Sequence, residues 1–210
     1  MNISMIWKKL IVEDRKIVIS SEIQNLARKL SKEPIRSLKY LQEHGYIYRI
    51  FKGIYYVKNP NEREKSFFED SVYEIVAKGL KIKGVKHYYF GLETALKINN
   101  MTHEYFTVNF VITDSYRTTK IINILDTKFH FLKWNQKHFT FGILNKNNLK
   151  YSDKEKSVLD LTYKKYRKNK ESKQVFSSLY EFEDSIDKNK VFNYLEHYPR
   201  RFKKIVKGII

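Results

Sequence analysis

The stretch SSEIQNLARKLSKEPIRSLKYLQEHGYIYRIFKGIYYV, residues 20–57, decides the fold of the N-terminal part of the chain. Its first third predicts a helix, because apolar residues recur from Ile23 to Leu30 at the spacing of one helical face. A second helix follows. Pro34 suits its first turn, where a missing N–H costs little, and Gly45 predicts its end.

The second helix carries a predicted apolar stripe of Ile35, Leu38 and Leu41. Successive residues of a helix are about 100° apart, so this stripe centres opposite Arg36 and Tyr40. The sequence therefore predicts that Arg36 and Tyr40 face outward.

A hairpin is predicted next. Residues 46–51 and 54–58 are rich in aromatic and β-branched side chains, and Lys52-Gly53 between them suits a tight turn. Helix, turn, helix and basic hairpin together predict a winged helix, a module that usually binds DNA. The alternative is a small α+β domain whose basic face is merely solvated. The residues expected to contact DNA are Lys32, Arg36, Ser37, Lys39, Tyr40, Arg49, Lys52 and Lys58.

Charge supports a polyanionic partner. The 210 residues carry a formal net charge of +18, which favours nucleic acid or an anionic membrane as partner. Basic residues are dense at both ends: residues 1–60 hold 12 Lys/Arg against 5 Asp/Glu, and residues 186–210 hold 7 against 2. The C-terminal residues expected to add DNA contacts are Arg200, Arg201, Lys203 and Lys204.

Bulk features also indicate location and chemistry. No apolar run approaches the roughly 20 residues of a membrane span, and the N-terminus lacks the pattern of a signal peptide. We therefore expect a cytoplasmic protein without membrane association. The absence of cysteine excludes disulfides and thiolate ligands.

Asn59-Pro60-Asn61 predicts a domain boundary, which divides the chain into a winged helix-turn-helix domain, residues 1–60, and a C-terminal domain, residues 61–210. A long helix from Asn61 to Gly79 is expected to open the second domain. Four strand-like runs within residues 105–144 predict a mixed α/β domain with a mostly antiparallel sheet. Ser152 and Glu155 predict the start of another helix, and terminal helices are expected on either side of Pro199. The fold class predicted for the whole chain is α+β.

Two segments of the second domain suggest a relative. Tyr88-Tyr89-Phe90-Gly91-Leu92-Glu93-Thr94-Ala95-Leu96 and Lys154-Glu155-Lys156-Ser157-Val158-Leu159-Asp160-Leu161, placed after a winged helix, resemble the AbiEi family of antitoxins and transcriptional regulators. The resemblance spans most of the chain. Ser157 stands where the family often has Ala, and Asn100-Met101-Thr102 stands where it often has Gly-Leu-Thr.

The resemblance implies a function. Members of this family belong to abortive-infection, type IV toxin–antitoxin systems. They repress their own operon through promoter repeats and counter a nucleotidyltransferase toxin without forming a stable complex with it. By this resemblance Asp160 is a candidate for antitoxin function; the alternative is a structural hydrogen bond to nearby backbone or lysine.

Enzymatic alternatives have weaker support. Asp114, Asp126 and Lys128 form the minimal arrangement of a metal-dependent nuclease, although Asp126-Thr127-Lys128 is equally explained as a polar turn. The histidines are scattered and no phosphate-binding loop occurs, so we expect no metal, no cofactor and no enzymatic activity. The 16 Tyr and 14 Phe leave a third possibility open, a single-strand or RNA-binding module, but most of these rings are expected in the core.

Overall fold

The computed structural model describes residues 3–168 and 173–210, and the chain falls into two compact units. The first comprises residues up to Gly84 together with Asn123–Thr127, and the second comprises Val85–Ile122 and Lys128–Ile210. The predicted α+β class and the C-terminal helices are confirmed. Within the described ranges, no helix combines the length and apolar character that crossing a membrane requires.

The N-terminal elements form a small mixed domain. In chain order they are α1 (Ser4–Val12), β1 (Ile17–Ile19), α2 (Ser20–Lys29), α3 (Pro34–Glu43), β2 (Ile47–Phe51), β3 (Ile54–Val57), α4 (Pro60–Glu64) and α5 (Val72–Ile82). Strand β3 lies between β1 and β2 and pairs antiparallel with both.

The predicted start and end of α3 are both confirmed. Pro34 is its first residue, and the Glu33 carboxylate caps it by accepting the N–H of Ile35 at 3.0 Å. Gly45, with φ +66°, adopts the left-handed conformation that commonly ends a helix. Gly53, with φ +75°, adopts it in the turn between β2 and β3. These two glycines fix where α3 ends and where the hairpin reverses.

The first unit continues beyond the boundary predicted at residues 59–61. Glu62 is buried, and its carboxylate accepts hydrogen bonds from the Tyr56 hydroxyl at 2.5 Å and from the N–H of Asn59 at 2.8 Å. The N–H of Glu69 donates to the same carboxylate at 2.8 Å. A buried carboxylate requires such donors, so residues on both sides of the predicted boundary share one core.

Helix α5 packs on the same hairpin. A side chain at Gly79 would meet Phe51 at 2.9 Å and Ile50 at 3.0 Å, so glycine is needed for this approach. The single long helix predicted from Asn61 to Gly79 is two helices, α4 and α5, and Ser71 caps the second by accepting a backbone N–H. The break allows α4 to place Glu62 inside the core.

The remaining elements centre on a sheet followed by helices. They are β4 (Tyr88–Phe90), α6 (Glu93–Ile98), β5 (Val108–Thr113), β6 (Ile122–Ile124), β7 (Thr127–Lys133), β8 (Ile143–Lys146), β9 (Leu149–Ser152), α7 (Lys154–Lys168), α8 (Ser177–Glu181), α9 (Lys188–Tyr194) and α10 (Arg200–Lys207). The terminal helices α9 and α10 lie on either side of Pro199, as predicted.

The six-stranded sheet is mixed. Its order is β6, β7, β5, β4, β9, β8. Strand β4 pairs antiparallel with β5, and β8 pairs antiparallel with β9, while β5 with β7 and β4 with β9 are parallel. The sheet therefore combines the predicted antiparallel pairing with two parallel pairs.

Helix α7 supplies buried side chains to the core of the second unit, but its cap differs from the prediction. The Asp153 carboxylate accepts the N–H of Lys156 at 2.9 Å. Glu155, predicted to close a capping box with Ser152, instead accepts a hydrogen bond from Lys190 Nζ at 2.8 Å. This contact ties the start of α7 to α9.

Candidate nucleic-acid interface

Helix α3 exposes a different face from the one that its apolar residues predicted. Ser37 and Leu41 are fully buried on the side that packs against α2, whereas Ile35 is 72% exposed. Residue 35 lies about 160° around the helix from residue 37, so a helix that buries Ser37 must expose Ile35. The predicted stripe of Ile35, Leu38 and Leu41 is therefore wrong at its first member.

This orientation sorts the α3 residues predicted to contact DNA. Arg36 and Lys39 are exposed, and Lys32 just before the helix is partly exposed. Ser37 is fully buried and cannot reach an external ligand, so its predicted DNA contact is wrong. The exposed face of α3 thus presents Ile35, Arg36 and Lys39.

Tyr40 lies at the edge of this face. It is partly buried, and its ring stacks on that of His44, with 3.9 Å between the centroids. The Tyr46 ring also lies near it, with 6.2 Å between the centroids of the Tyr40 and Tyr46 rings. Tyr40 therefore lies at the side of the exposed face, whereas the sequence predicted it near the centre of that face.

The hairpin turn presents two of the three predicted cations. Arg49 on β2 is exposed, and Lys52 is exposed at the turn, next to left-handed Gly53. A lysine at a hairpin tip has its full side chain available to a phosphate.

Lys58 is the third predicted cation, and its prediction is wrong. It is 4% exposed, and its Nζ donates to the Glu62 carbonyl at 3.2 Å and lies 4.2 Å from the centre of the Phe68 ring. Burial lowers the pKa of Lys58. Its charge is held inside the first unit and is not available to DNA.

Helix α10 carries a separate basic surface on the second unit. Phe202 and Val206 are fully buried, while Arg200, Arg201 and Lys204 are exposed. The Glu196 carboxylate forms ion pairs with Lys203 and Lys207. No carboxylate of the described residues forms an ion pair with Arg200, Arg201 or Lys204. An open groove of about 500 Å³ runs along this face; its lining is Glu196, Tyr198, Arg200, Lys203, Lys204 and Lys207.

Asp160 lies in a buried polar cluster rather than on a surface. Its carboxylate accepts hydrogen bonds from the Tyr89 hydroxyl at 2.8 Å and from the Tyr198 hydroxyl at 2.5 Å. Lys156 Nζ is 3.3 Å from the carboxylate and 3.8 Å from the centre of the Phe141 ring. Both charged side chains are fully buried. The cluster joins β4, α7 and the residue before Pro199, which explains Asp160 structurally.

Burial opposes charge on both partners. It raises the pKa of Asp160 and lowers the pKa of Lys156, and in each case the other partner offsets part of the effect. The Lys156 ammonium has no well-aligned hydrogen-bond acceptor among the described atoms, so it is held by the ion pair and the aromatic rings. Sequence analysis missed Lys156, although its i, i+4 spacing to Asp160 is typical of a helical ion pair.

His138 lies beside this cluster. It is 3% exposed, its Nδ1 has no hydrogen-bond partner in the described structure, and its ring centroid is 5.2 Å from that of Tyr198 and 5.0 Å from that of Trp134. Burial, aided by the positive charge of Lys156, lowers the pKa of His138 to about 3. The imidazole is therefore neutral at physiological pH.

The candidate nuclease residues are not brought together. In the parallel pair of β5 and β7, Thr113 lies opposite Lys133 and Val108 lies opposite Lys128. Asp114 follows Thr113, so it lies at the far end of the pair from Lys128, about six residues or 20 Å away. No group of three or more His, Asp or Glu side chains in the described structure is placed to hold a metal ion.

Comparisons with known proteins identify a similar fold. No protein-family model matches the chain, and a search of curated proteins found no match. A solved structure, the crystal structure of the RV2827C protein from Mycobacterium tuberculosis, is similar with a TM-score of 0.58 and 10% sequence identity. The match covers 93% of this chain and 71% of that chain. At this identity the likeness shows the fold alone.

The buried ion pair generates a stability prediction. Asp160→Ala leaves the Lys156 ammonium buried without its counter-charge, so we expect the free energy of unfolding to fall by about 3–5 kcal/mol. Chemical denaturation measures this. Glu183→Gln, which breaks the exposed 2.5 Å pair with Lys188, is the matched control and should cost under about 1 kcal/mol. Adding Lys156→Met to Asp160→Ala should restore part of the lost free energy of unfolding. Equal losses for Asp160→Ala and Glu183→Gln would show that the buried ion pair is no more stabilising than an exposed one.

His138 generates a pH prediction. Its folded pKa of about 3 lies below the ordinary value of 6.5, so between these limits the unfolded chain binds a proton that the folded chain does not. The contribution of His138 to the free energy of unfolding is therefore complete above pH 6.5. It is lost as the pH falls below this value, by about 1.4 kcal/mol per pH unit. Denaturation midpoints between pH 6 and pH 4.5 should fall less steeply for His138→Phe than for the unaltered chain. Identical slopes would show that His138 titrates normally in the folded state.

Proposed function

We propose that this chain is a sequence-specific double-stranded DNA-binding transcriptional regulator whose first unit is a winged helix. The observation that carries the proposal is the exposed face of α3, with Arg36 and Lys39 outward, followed by a hairpin with Lys52 at its tip. The order of α2, α3, β2 and β3 matches the order of a helix-turn-helix followed by a wing. The net charge of +18 supports a polyanionic partner.

In this proposal α3 enters the major groove. Arg36 lies in its first turn, and an arginine there can donate two hydrogen bonds to the O6 and N7 atoms of a guanine. Lys39 on the helix and Lys32 just before it are suited to phosphate contacts. Lys52 and Arg49 on the hairpin contact phosphate or the minor groove. Base reading is thus assigned to α3 and positioning to the hairpin.

Helix α10 is proposed as a further phosphate-binding surface. Arg200 and Lys204, one turn apart and outside the ion pairs of Glu196, place like charges next to each other, an arrangement that destabilises an isolated helix. A bound polyanion relieves this repulsion. Such contacts carry affinity without sequence preference.

The antitoxin role is the narrower part of the proposal. It is supported by the resemblance of residues 88–96 and 154–161 to the AbiEi family, and by the hydrogen bond from Tyr89 to Asp160 that joins these two segments in one core. We propose that the protein represses its own operon and counters a nucleotidyltransferase toxin without forming a stable complex with it. Because Asp160 is buried, its part in this role is to hold the second unit together.

Arg36 and Lys52 should differ in what their loss does to binding. Arg36→Ala should weaken binding to a duplex selected by the full chain from a random pool by about 1–3 kcal/mol and relax the preference at one base pair, with a smaller effect on random duplex. Lys52→Ala should weaken both duplexes alike and reduce the slope of log affinity against log salt by about one unit. Binding isotherms over a salt series measure both effects.

Two results of that series would count against the proposal. If Arg36→Ala weakens selected and random duplex equally, α3 is not the reading helix. If single-stranded DNA or RNA outcompetes duplex at physiological salt, the chain is not a duplex-binding regulator. Removing the charges of Arg200, Arg201 and Lys204 should reproduce the Lys52 pattern, whereas unchanged affinity and salt slope would assign α10 another role.

The antitoxin role predicts a separation of activities. Arg36→Ala should relieve repression of a reporter driven by the chain's own promoter and still protect cells that express the nucleotidyltransferase toxin encoded beside it, because base reading and antagonism are assigned to different units. Reporter output and growth, measured on the same variant with folding checked by circular dichroism, test this. Wild-type chain that represses the reporter but gives no protection would restrict the function to regulation.

A further inference from the structure

Ile35 is a large apolar side chain held in water at the start of α3. It is 72% exposed, follows Pro34 in the first turn, and precedes the exposed Arg36. Its backbone N–H is fixed by the Glu33 carboxylate at 3.0 Å, and the start of the helix is fixed by Pro34. Ile35 is therefore presented on a defined piece of backbone and not on a loose segment.

An exposed isoleucine alone means little, because single apolar residues are common on protein surfaces. Val12 is 86% exposed at the end of α1, a helix that is not proposed to enter DNA. Ile35 differs by position. The N-terminal residues of a reading helix are those that reach base edges, and Ile35 shares that turn with the arginine proposed to bind guanine.

We propose that Ile35 contacts the 5-methyl group of a thymine in the major groove, beside the base pair read by Arg36. This inference rests on the proposed function. Thymine is the one base of DNA that presents a methyl group in the major groove, and apolar side chains contact it without a hydrogen bond. A β-branched side chain has few rotamers to lose on binding, which favours this role over that of a flexible side chain. Ile35 is thereby a specificity-determining residue for thymine against cytosine.

The expected effect is small and selective. Removing one buried methyl group is worth about 0.8 kcal/mol, which corresponds to about a fourfold change in affinity. Arg36 and Ile35 should thus specify neighbouring positions by different chemistry, one through hydrogen bonds and the other through apolar contact.

The test uses the full chain and a duplex that it selects from a random pool. Each thymine is replaced in turn by deoxyuridine, which lacks only the methyl group. One replacement should weaken binding of the unaltered chain about fourfold and leave the affinity of Ile35→Ala unchanged, because the contact is already lost. Val12→Ala is the matched control, since Val12 is also an exposed β-branched side chain, and should respond to every replacement as the unaltered chain does.

The outcomes separate this inference from the proposed function. If the selected duplex binds no better than random duplex, the proposed function fails. A second outcome overturns the methyl contact alone. In it the selected duplex binds better than random duplex and Arg36→Ala removes this preference, but the effects of Ile35→Ala and of every deoxyuridine replacement on the binding free energy are additive. A change in sedimentation of the free protein on Ile35→Ala would also overturn it, by assigning Ile35 to contact between copies of this chain.

Discussion

Each compact unit holds a buried carboxylate in its core, Glu62 in the first and Asp160 in the second. A carboxylate removed from water is strongly unfavourable unless donors replace its hydration. In the first unit Glu62 receives hydrogen bonds from Tyr56, Asn59 and Glu69, so the hairpin, α4 and the segment before α5 are held to one point. In the second, Asp160 is matched by Tyr89, Tyr198 and Lys156. Some of these donors, Tyr56 for Glu62 and Tyr89 and Tyr198 for Asp160, come from other elements, so those elements must meet for either carboxylate to be satisfied.

This constraint also determines which cations are available to a partner. Lys58 and Lys156 look like ordinary members of a basic sequence, yet both are buried, one against Phe68 and the other against Phe141. Other cations stay outside, among them Arg36 and Lys39 on α3, Lys52 at the hairpin turn, and Arg200, Arg201 and Lys204 on α10. A count of charges could not make this division, because it depends on which lysines have an aromatic surface and an oxygen acceptor within reach.

Local signals predicted local structure well. Pro34 and Gly45 bound α3, and Gly53 marks the hairpin turn, because each acts through its own backbone conformation. Prediction failed where distant contacts decide the outcome. Apolar spacing placed Ile35 inside and left Ser37 outside, and the reverse is found, since the face that packs on α2 depends on both helices. The parallel strands and the Asp160 cluster were missed for the same reason: Tyr89 and Asp160 are 71 residues apart.

The orientation of α3 has a consequence for the candidate interface. A helix that buried Ile35 would have no aliphatic side chain on its exposed first turn, where such a side chain could distinguish thymine from cytosine by the thymine methyl group. Burying Ser37 turns Ile35 outward beside Arg36 and gives the same helix one hydrogen-bonding and one apolar side chain on its exposed first turn. The hairpin that carries Lys52 is held by the Glu62 hydrogen bonds through Tyr56. The Glu62 hydrogen bonds and the orientation of α3 thus determine which side chains the first unit exposes on α3 and at the hairpin turn.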